Sequence, residues 1–79
     1  MKLKIPIINL EELEDSIIPL EYDDLMPIET IFYSMDYIQP SIKGYSVIGL
    51  HGYEYTAKMP YTKLEREIDR QNRIIITDN

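Results

Sequence analysis

Gly44-Tyr45-Ser46-Val47-Ile48-Gly49-Leu50-His51-Gly52-Tyr53-Glu54-Tyr55-Thr56-Ala57-Lys58-Met59 places two β-rich runs on either side of a His-Gly pair. Glycine takes the positive φ that a tight hairpin turn needs, so Gly44 to Leu50 and Tyr53 to Met59 read as paired strands. In the second run Tyr53, Tyr55, Ala57 and Met59 alternate with Glu54, Thr56 and Lys58, the period of a strand with one face buried. Such a sheet needs a cover for its apolar face, and the residues after Pro60 supply one. Thr62 as cap and Glu65 at the reciprocal position form the strongest helix start in the chain, followed by Leu64 and Ile68 one turn apart on an otherwise charged cylinder. So narrow an apolar stripe buries one side only, which suits a helix laid across one face of a small sheet. This helix is expected to end near Asn72.

The segments flanking this unit are less uniform. In Ile28 to Ile38, the set Ile28, Ile31, Phe32 and Met35 matches a helix face, while Ile31, Tyr33, Met35 and Tyr37 match one face of a strand. Enrichment in β-branched and aromatic residues, and the Gln39 to Gly44 turn with Pro40, favour the strand. Lys2 to Ile8 is β-rich, and Pro6 assigns it to an edge strand or extended arm with incomplete pairing. Asn9 is a good cap, Glu12 completes a capping-box pattern, and Leu10, Leu13 and Ile17 share a helical face until Pro19, which makes a short acidic helix. Leu20 to Met26 reads as an acidic connection. Ile74, Ile75 and Ile76 read as a final short strand, either inside the sheet or paired with a second copy in a homodimer, because exposed at an edge they would invite aggregation. The expected class is α+β: residues 1–79 as a single domain, with a small antiparallel sheet of three to five strands and one or two short helices packed on one face.

This order of segments resembles a known one. Over Ile28 to Ile68, a strand, a hairpin and then Met59-Pro60-Tyr61-Thr62-Lys63-Leu64-Glu65-Arg66-Glu67 resemble the middle of LytTR-type DNA-binding domains, in which a hairpin ending in a threonine-rich strand runs into a short Leu-Glu helix. Ile31-Phe32-Tyr33 matches the opening strand of that family. The resemblance implies the strand-hairpin-helix architecture. Where the family continues from its helix into a basic segment, this chain has Asn72-Arg73-Ile74-Ile75-Ile76-Thr77.

With 79 residues, eight bases, fourteen acids and no cysteine, the chain has neither a disulfide framework nor a thiolate metal site. A chain of this length hides only about 60–65% of its unfolded surface on folding, so a partner or second copy often supplies missing burial. The apolar run after Met1-Lys2-Leu3-Lys4 is broken by Pro6 and meets acids from Glu11, too short for a signal core or a membrane span; the expected location is the cytoplasm. Charge is unevenly distributed. From Ile5 to Ile42 there are nine acids and no lysine or arginine, whereas from Lys43 to Asn79 six bases face five acids. Unpaired carboxylates in one stretch repel one another, and two readings account for them: a solvated face kept for solubility, or a surface that meets something positive.

Little in the chain points to catalysis. His51 is the sole histidine, and its Gly49-Leu50-His51-Gly52 setting reads as a loop tip. The doublets Glu11-Glu12 and Asp23-Asp24, with Glu29, lack EF-hand spacing, and adjacent residues point in different directions, so no metal site is expected. A glycosidase-like carboxylate pair needs a deep cleft that a domain of this size seldom forms. Gly44, Gly49 and Gly52 are not followed by a Lys-Ser or Lys-Thr pair, which disfavours nucleotide binding, and no cofactor is expected. Seven tyrosines suit recognition surfaces; for Tyr53 and Tyr55, core and cross-strand packing is the simpler role.

The expected function is therefore that of a non-enzymatic protein-interaction module, an accessory or inhibitory protein of bacterial or phage type. It docks the carboxylates Glu11, Glu12, Glu14, Asp15, Asp23, Asp24 and Glu29 on a basic protein surface, with Leu13, Ile17, Tyr22 and Met26 as apolar anchors. The alternative is a nucleic-acid-binding regulator built on the hairpin and second helix, using Lys43, Lys58, Arg66 and Arg70 against phosphate. No membrane partner is expected.

Overall fold

A computed structural model describes the backbone of residues 1–77 and the side chains of residues 1–71. The chain is an α+β domain with five strands: β1 (Leu3–Ile8), β2 (Ile28–Phe32), β3 (Tyr37–Pro40), β4 (Ser46–Leu50) and β5 (Tyr53–Ala57). A short helix α1 (Glu11–Asp15) and a 3-10 turn (Tyr22–Asp24) lie between β1 and β2, and a long helix α2 (Tyr61–Thr77) follows β5. The sheet is antiparallel throughout, in the order β2-β1-β5-β4-β3. Among the described residues, no helix is long and apolar enough to cross a membrane.

The β4–β5 hairpin forms as its sequence dictates, with Leu50 opposite Tyr53 closing a two-residue turn. Both turn residues take positive φ, +53° at His51 and +83° at Gly52, the mirror-image turn whose twist matches that of the strands. A Cβ-bearing residue is strained there, and Asp36 offsets the strain: its carboxylate accepts the His51 N–H at 2.9 Å, while its own N–H donates to the Gly49 carbonyl at 2.8 Å. Asparagine tolerates this conformation better than histidine, so His51→Asn is expected to raise stability by about 0.5–1 kcal/mol, read as a higher urea midpoint at unchanged slope.

Two expectations for the N-terminal half change. Pro6 does not confine β1 to an edge. β1 is flanked by β2 and β5, because a strand residue directs its N–H and C=O to the same side, and the Pro6 carbonyl accepts the Lys58 N–H at 2.8 Å. The missing Pro6 donor therefore faces the end of β5, where registered pairing with β1 covers only Ile7 with Ala57 and Ile8 with Thr56, while all five β1–β2 pairs from Leu3–Phe32 to Ile7–Ile28 remain. The segment Ile28 to Ile38 is not one strand. It breaks after Phe32, and its halves become the two opposite edges, β2 and β3. A flat sheet would hold these edges roughly 19 Å apart. The connection 33–36 spans at most about 18 Å, so the sheet must curl. The Phe32 ring accordingly meets Tyr55 edge-on at 5.5 Å and 79°, although the two residues lie far apart along the ladder.

Curling encloses a main core of Leu3, Ile5, Phe32, Ile48, Ala57, Met59 and Leu64 on the concave face. Its cover is α2, through Leu64, which is fully buried, and Ile68. The Ser46 hydroxyl, also fully buried, donates to the Met59 carbonyl at 2.6 Å and ties β4 to the chain entering the helix. The helix starts two residues earlier than the Thr62 cap implied: the Pro60 carbonyl accepts from Lys63 and Leu64 at 3.1 and 3.0 Å, and Thr62 falls in the first turn. It also runs past Asn72 to Thr77. Ile74, Ile75 and Ile76 are thus helical in backbone, not the strand expected there, so a homodimer edge of strand type does not form from them. No glycine or proline lies between Leu64 and Thr77 to stop propagation, and the low helix preference of β-branched residues is too small to do so alone. Along β5, burial fades toward the hairpin tip: Ala57 is buried, Tyr55 half-buried, and Tyr53 exposed rather than packed.

Candidate functional site

Strand alternation sends Ile8 to the convex side of the sheet, opposite Ile7, and there a second, smaller cluster forms from Ile8, Leu25 and Tyr45 with Leu10, Leu13, Leu20 and Tyr22 packed against it. Residues 9–26 are laid over this cluster. The Asn9 side chain accepts the Glu11 N–H at 3.0 Å, but the cap position of α1 is Leu10 and the expected Asn9–Glu12 capping box does not form; α1 turns Leu13 inward and leaves Glu11, Glu12, Glu14 and Asp15 exposed. The helix stops at Asp15, four residues short of Pro19, because Ser16 turns extended and closes its own small loop. Its hydroxyl donates to the Ile18 carbonyl at 2.6 Å and accepts the Ile18 N–H at 3.2 Å. This loop holds Ile17 entirely in solvent, at 100% exposure, and Ile18 at 70%.

After Leu20 returns to the cluster, the 3-10 turn is secured by reciprocal caps: the Asp24 carboxylate accepts the Glu21 N–H at 2.9 Å, and the Glu21 side chain accepts the backbone N–H of Asp24. The Tyr45 hydroxyl donates to Asp23 Oδ1 at 2.6 Å while its ring meets Tyr22 edge-on at 5.1 Å and 89°. The bond to the Asp23 carboxylate, then burial, push the Tyr45 phenol up to about 12. On the same convex side Tyr37 lies over Gly49, where an added methyl would overlap its ring, and its hydroxyl donates to Glu54 at 2.7 Å. That bond to Glu54 raises the Tyr37 phenol above its ordinary value.

The expected partner-binding residues therefore divide. Glu11, Glu12, Glu14, Asp15, Asp23 and Asp24 share one layer, and Glu29 stands exposed on β2 beside it. Of the four expected anchors, Ile17 and Met26 project into solvent, Met26 at 83% exposure, whereas Leu13 and Tyr22 are half-buried structural supports. Spacing alone could have shown Leu13 to be inward, since Leu10, three residues earlier, lies on the same face. Ile18 and Ile42 carry no signal in the sequence that marks them; Ile42 borders a shallow groove with Leu13, Leu20, Tyr22, Asp23 and Lys43, the last expected only in the nucleic-acid alternative. Among the described residues the one ion pair is Glu67–Arg70 on α2, at 3.5 Å, so the carboxylates of the acidic layer have no ionic partner there.

The alternative set of bases is dispersed. Lys43 edges the acidic groove, Lys58 follows β5, and Arg66 and Arg70 lie on α2 with Glu65 and Asp69 beside them. His51 is exposed at the hairpin turn. Among the described residues, no group of three His, Asp or Glu side chains comes close enough together to hold one ion. No family model matches this chain, and no curated protein or solved structure is detectably similar to it.

Proposed function

We propose that this chain is a cytoplasmic, non-enzymatic interaction module that docks its acidic layer on a basic protein surface. The observation that carries the reading is the Ser16 loop, which holds Ile17 and Ile18 out in water between Glu11–Asp15 and Glu21–Asp24. Two adjacent isoleucines gain nothing from solvent, and a local hydrogen-bonded turn spends order on keeping them there. Burying them in a partner's apolar pocket supplies affinity, while the surrounding carboxylates steer and orient the encounter. The partner this surface fits has a small apolar depression ringed by lysine or arginine.

The test uses two variants that leave the supporting contacts intact. One changes Glu11, Glu12, Glu14 and Asp15 to their amides, and the other is Ile17→Ser. Capture from host cells at low and moderate salt is expected to retain a basic protein on the parent chain only, with retention falling as salt rises. An identical captured set for all three chains would overturn the reading, as would nucleic-acid binding that depends on Lys43, Lys58, Arg66 and Arg70. Asp23 and Asp24 are left out of the variant because they bond to Tyr45 and to the Glu21 backbone; reversing their charge is expected to lower the melting temperature as well as any binding.

A further inference from the structure

The two edges of the sheet are protected to different degrees. β3 is only four residues long and ends in Pro40, which blunts it against further pairing. β2 has neither defence: Ile28-Glu29-Thr30-Ile31-Phe32 contains no proline, lysine or arginine, and among the described residues no strand pairs with its outer side. Which backbone groups it presents follows from the Pro6–Lys58 bond. Pro6 and Lys4 direct their polar groups toward β5, so Glu29 and Ile31, registered opposite them, direct theirs away from β1. Flanking this row are Ile28 at 67%, Ile31 at 42%, Tyr33 at 66% and Met26 at 83% exposure.

We infer that β2 is a self-pairing edge, and that two copies of the chain join their sheets through antiparallel β2–β2 contact about a two-fold axis at Thr30. In that register Glu29 of each copy meets Ile31 of the other, each pair exchanging both N–H···O=C bonds, so every outward backbone group on the strand is satisfied. The choice of register is physical. An axis at Glu29 would oppose two like charges, and an axis at Ile31 would leave part of each strand without a partner. About Thr30, Ile28 pairs with Phe32 across the axis over the whole strand, and Tyr33 falls beside Pro27. A second copy fits better than a foreign strand because the same five residues supply both halves of the match.

The chain has no cysteine, which makes the test clean. Across the axis the Thr30 pair is of the non-hydrogen-bonded kind, with Cα atoms about 4.5 Å apart. A disulfide spans about 4.4–6.8 Å, so Thr30→Cys is expected to cross-link to a dimer on mild oxidation, whereas His51→Cys, at the exposed hairpin turn, stays monomeric. Sedimentation of the parent chain should show a mass rising toward twice the 9.4 kDa monomer with concentration. Self-association should strengthen with salt as the acidic copies are screened, the opposite sign to docking on a basic partner. Ile31→Glu, which sets a second carboxylate opposite Glu29 of the other copy, and Ile31→Pro, which removes an outward N–H, should both stay monomeric with unchanged helical circular dichroism. A parent chain that is monomeric throughout, a dimer insensitive to Ile31→Glu, or equal cross-linking of the two cysteine variants would overturn the inference.

Discussion

Leu64→Ala is expected to lower the unfolding free energy by about 3–5 kcal/mol, enough to leave much of the protein unfolded at room temperature. A domain of this length has a total stability of about 4–12 kcal/mol, so one core side chain decides whether it folds. Leu64 is the fully buried contact by which α2 covers the concave core, and the curled strands around it are held at Ile48 and Ala57, which cannot collapse into the vacated space without breaking ladder pairs. Urea titration followed by circular dichroism checks this, with Ile17→Ala as the contrast. Ile17 is wholly exposed, and its truncation should change stability by less than about 0.5 kcal/mol. A Leu64→Ala loss below about 1 kcal/mol would mean that α2 does not seal the sheet.

Raising the pH from 10 to 12 is expected to remove about 1–2 kcal/mol of stability through Tyr45 alone. Its phenol titrates near 12 in the folded chain against 10 when unfolded, chiefly because it donates to the Asp23 carboxylate. A proton held more tightly in the folded state stabilises that state fully below pH 10, and the contribution is lost as pH rises through 12. Two pH units correspond to about 2.7 kcal/mol at most, and the exposure of Asp23 to water reduces this. The measurement is a comparison: Tyr45→Phe should start about 1–2 kcal/mol less stable at pH 8 and then lose correspondingly less between pH 10 and 12. Parallel curves for the two chains would show that the Tyr45–Asp23 bond contributes nothing. Because this bond pins the 3-10 turn to the convex cluster, the same substitution should loosen residues 21–25 toward proteolysis.

The His51-Gly52 turn, the strand at β5 and the single stripe of α2 each depend on residues within one or two turns of chain, and each is found where its pattern lies. Helix starts are less legible: α1 is capped at Leu10, not Asn9, and α2 begins before Thr62. Readings failed where two competing local outcomes were separated only by distant contacts. Pro6 argues for an edge unless its missing donor happens to face the end of a neighbouring strand, and that depends on Lys58. Ile28 to Ile38 has one composition but two destinations, because the break at residues 33–36 is imposed by the curl that lets Phe32 reach Tyr55. Three isoleucines at 74–76 favour a strand by composition, yet they follow an uninterrupted helix that had only to continue.

The same division runs through the candidate site. Composition and position along the chain alone established that nine acids and no lysine or arginine occupy residues 5–42, and that the chain lacks cysteine chemistry and offers one histidine. Only the folded arrangement decided which apolar neighbours of those acids are support and which are free: Leu13 and Tyr22 turn toward Ile8 and Tyr45, while Ser16 turns Ile17 outward. It likewise decided that the unprotected edge is β2 and not the C-terminal isoleucines. The physical reason is that charge and hydrogen-bonding capacity belong to each residue before folding, whereas burial and edge exposure belong to pairs of segments and come into being only when the sheet closes around its core.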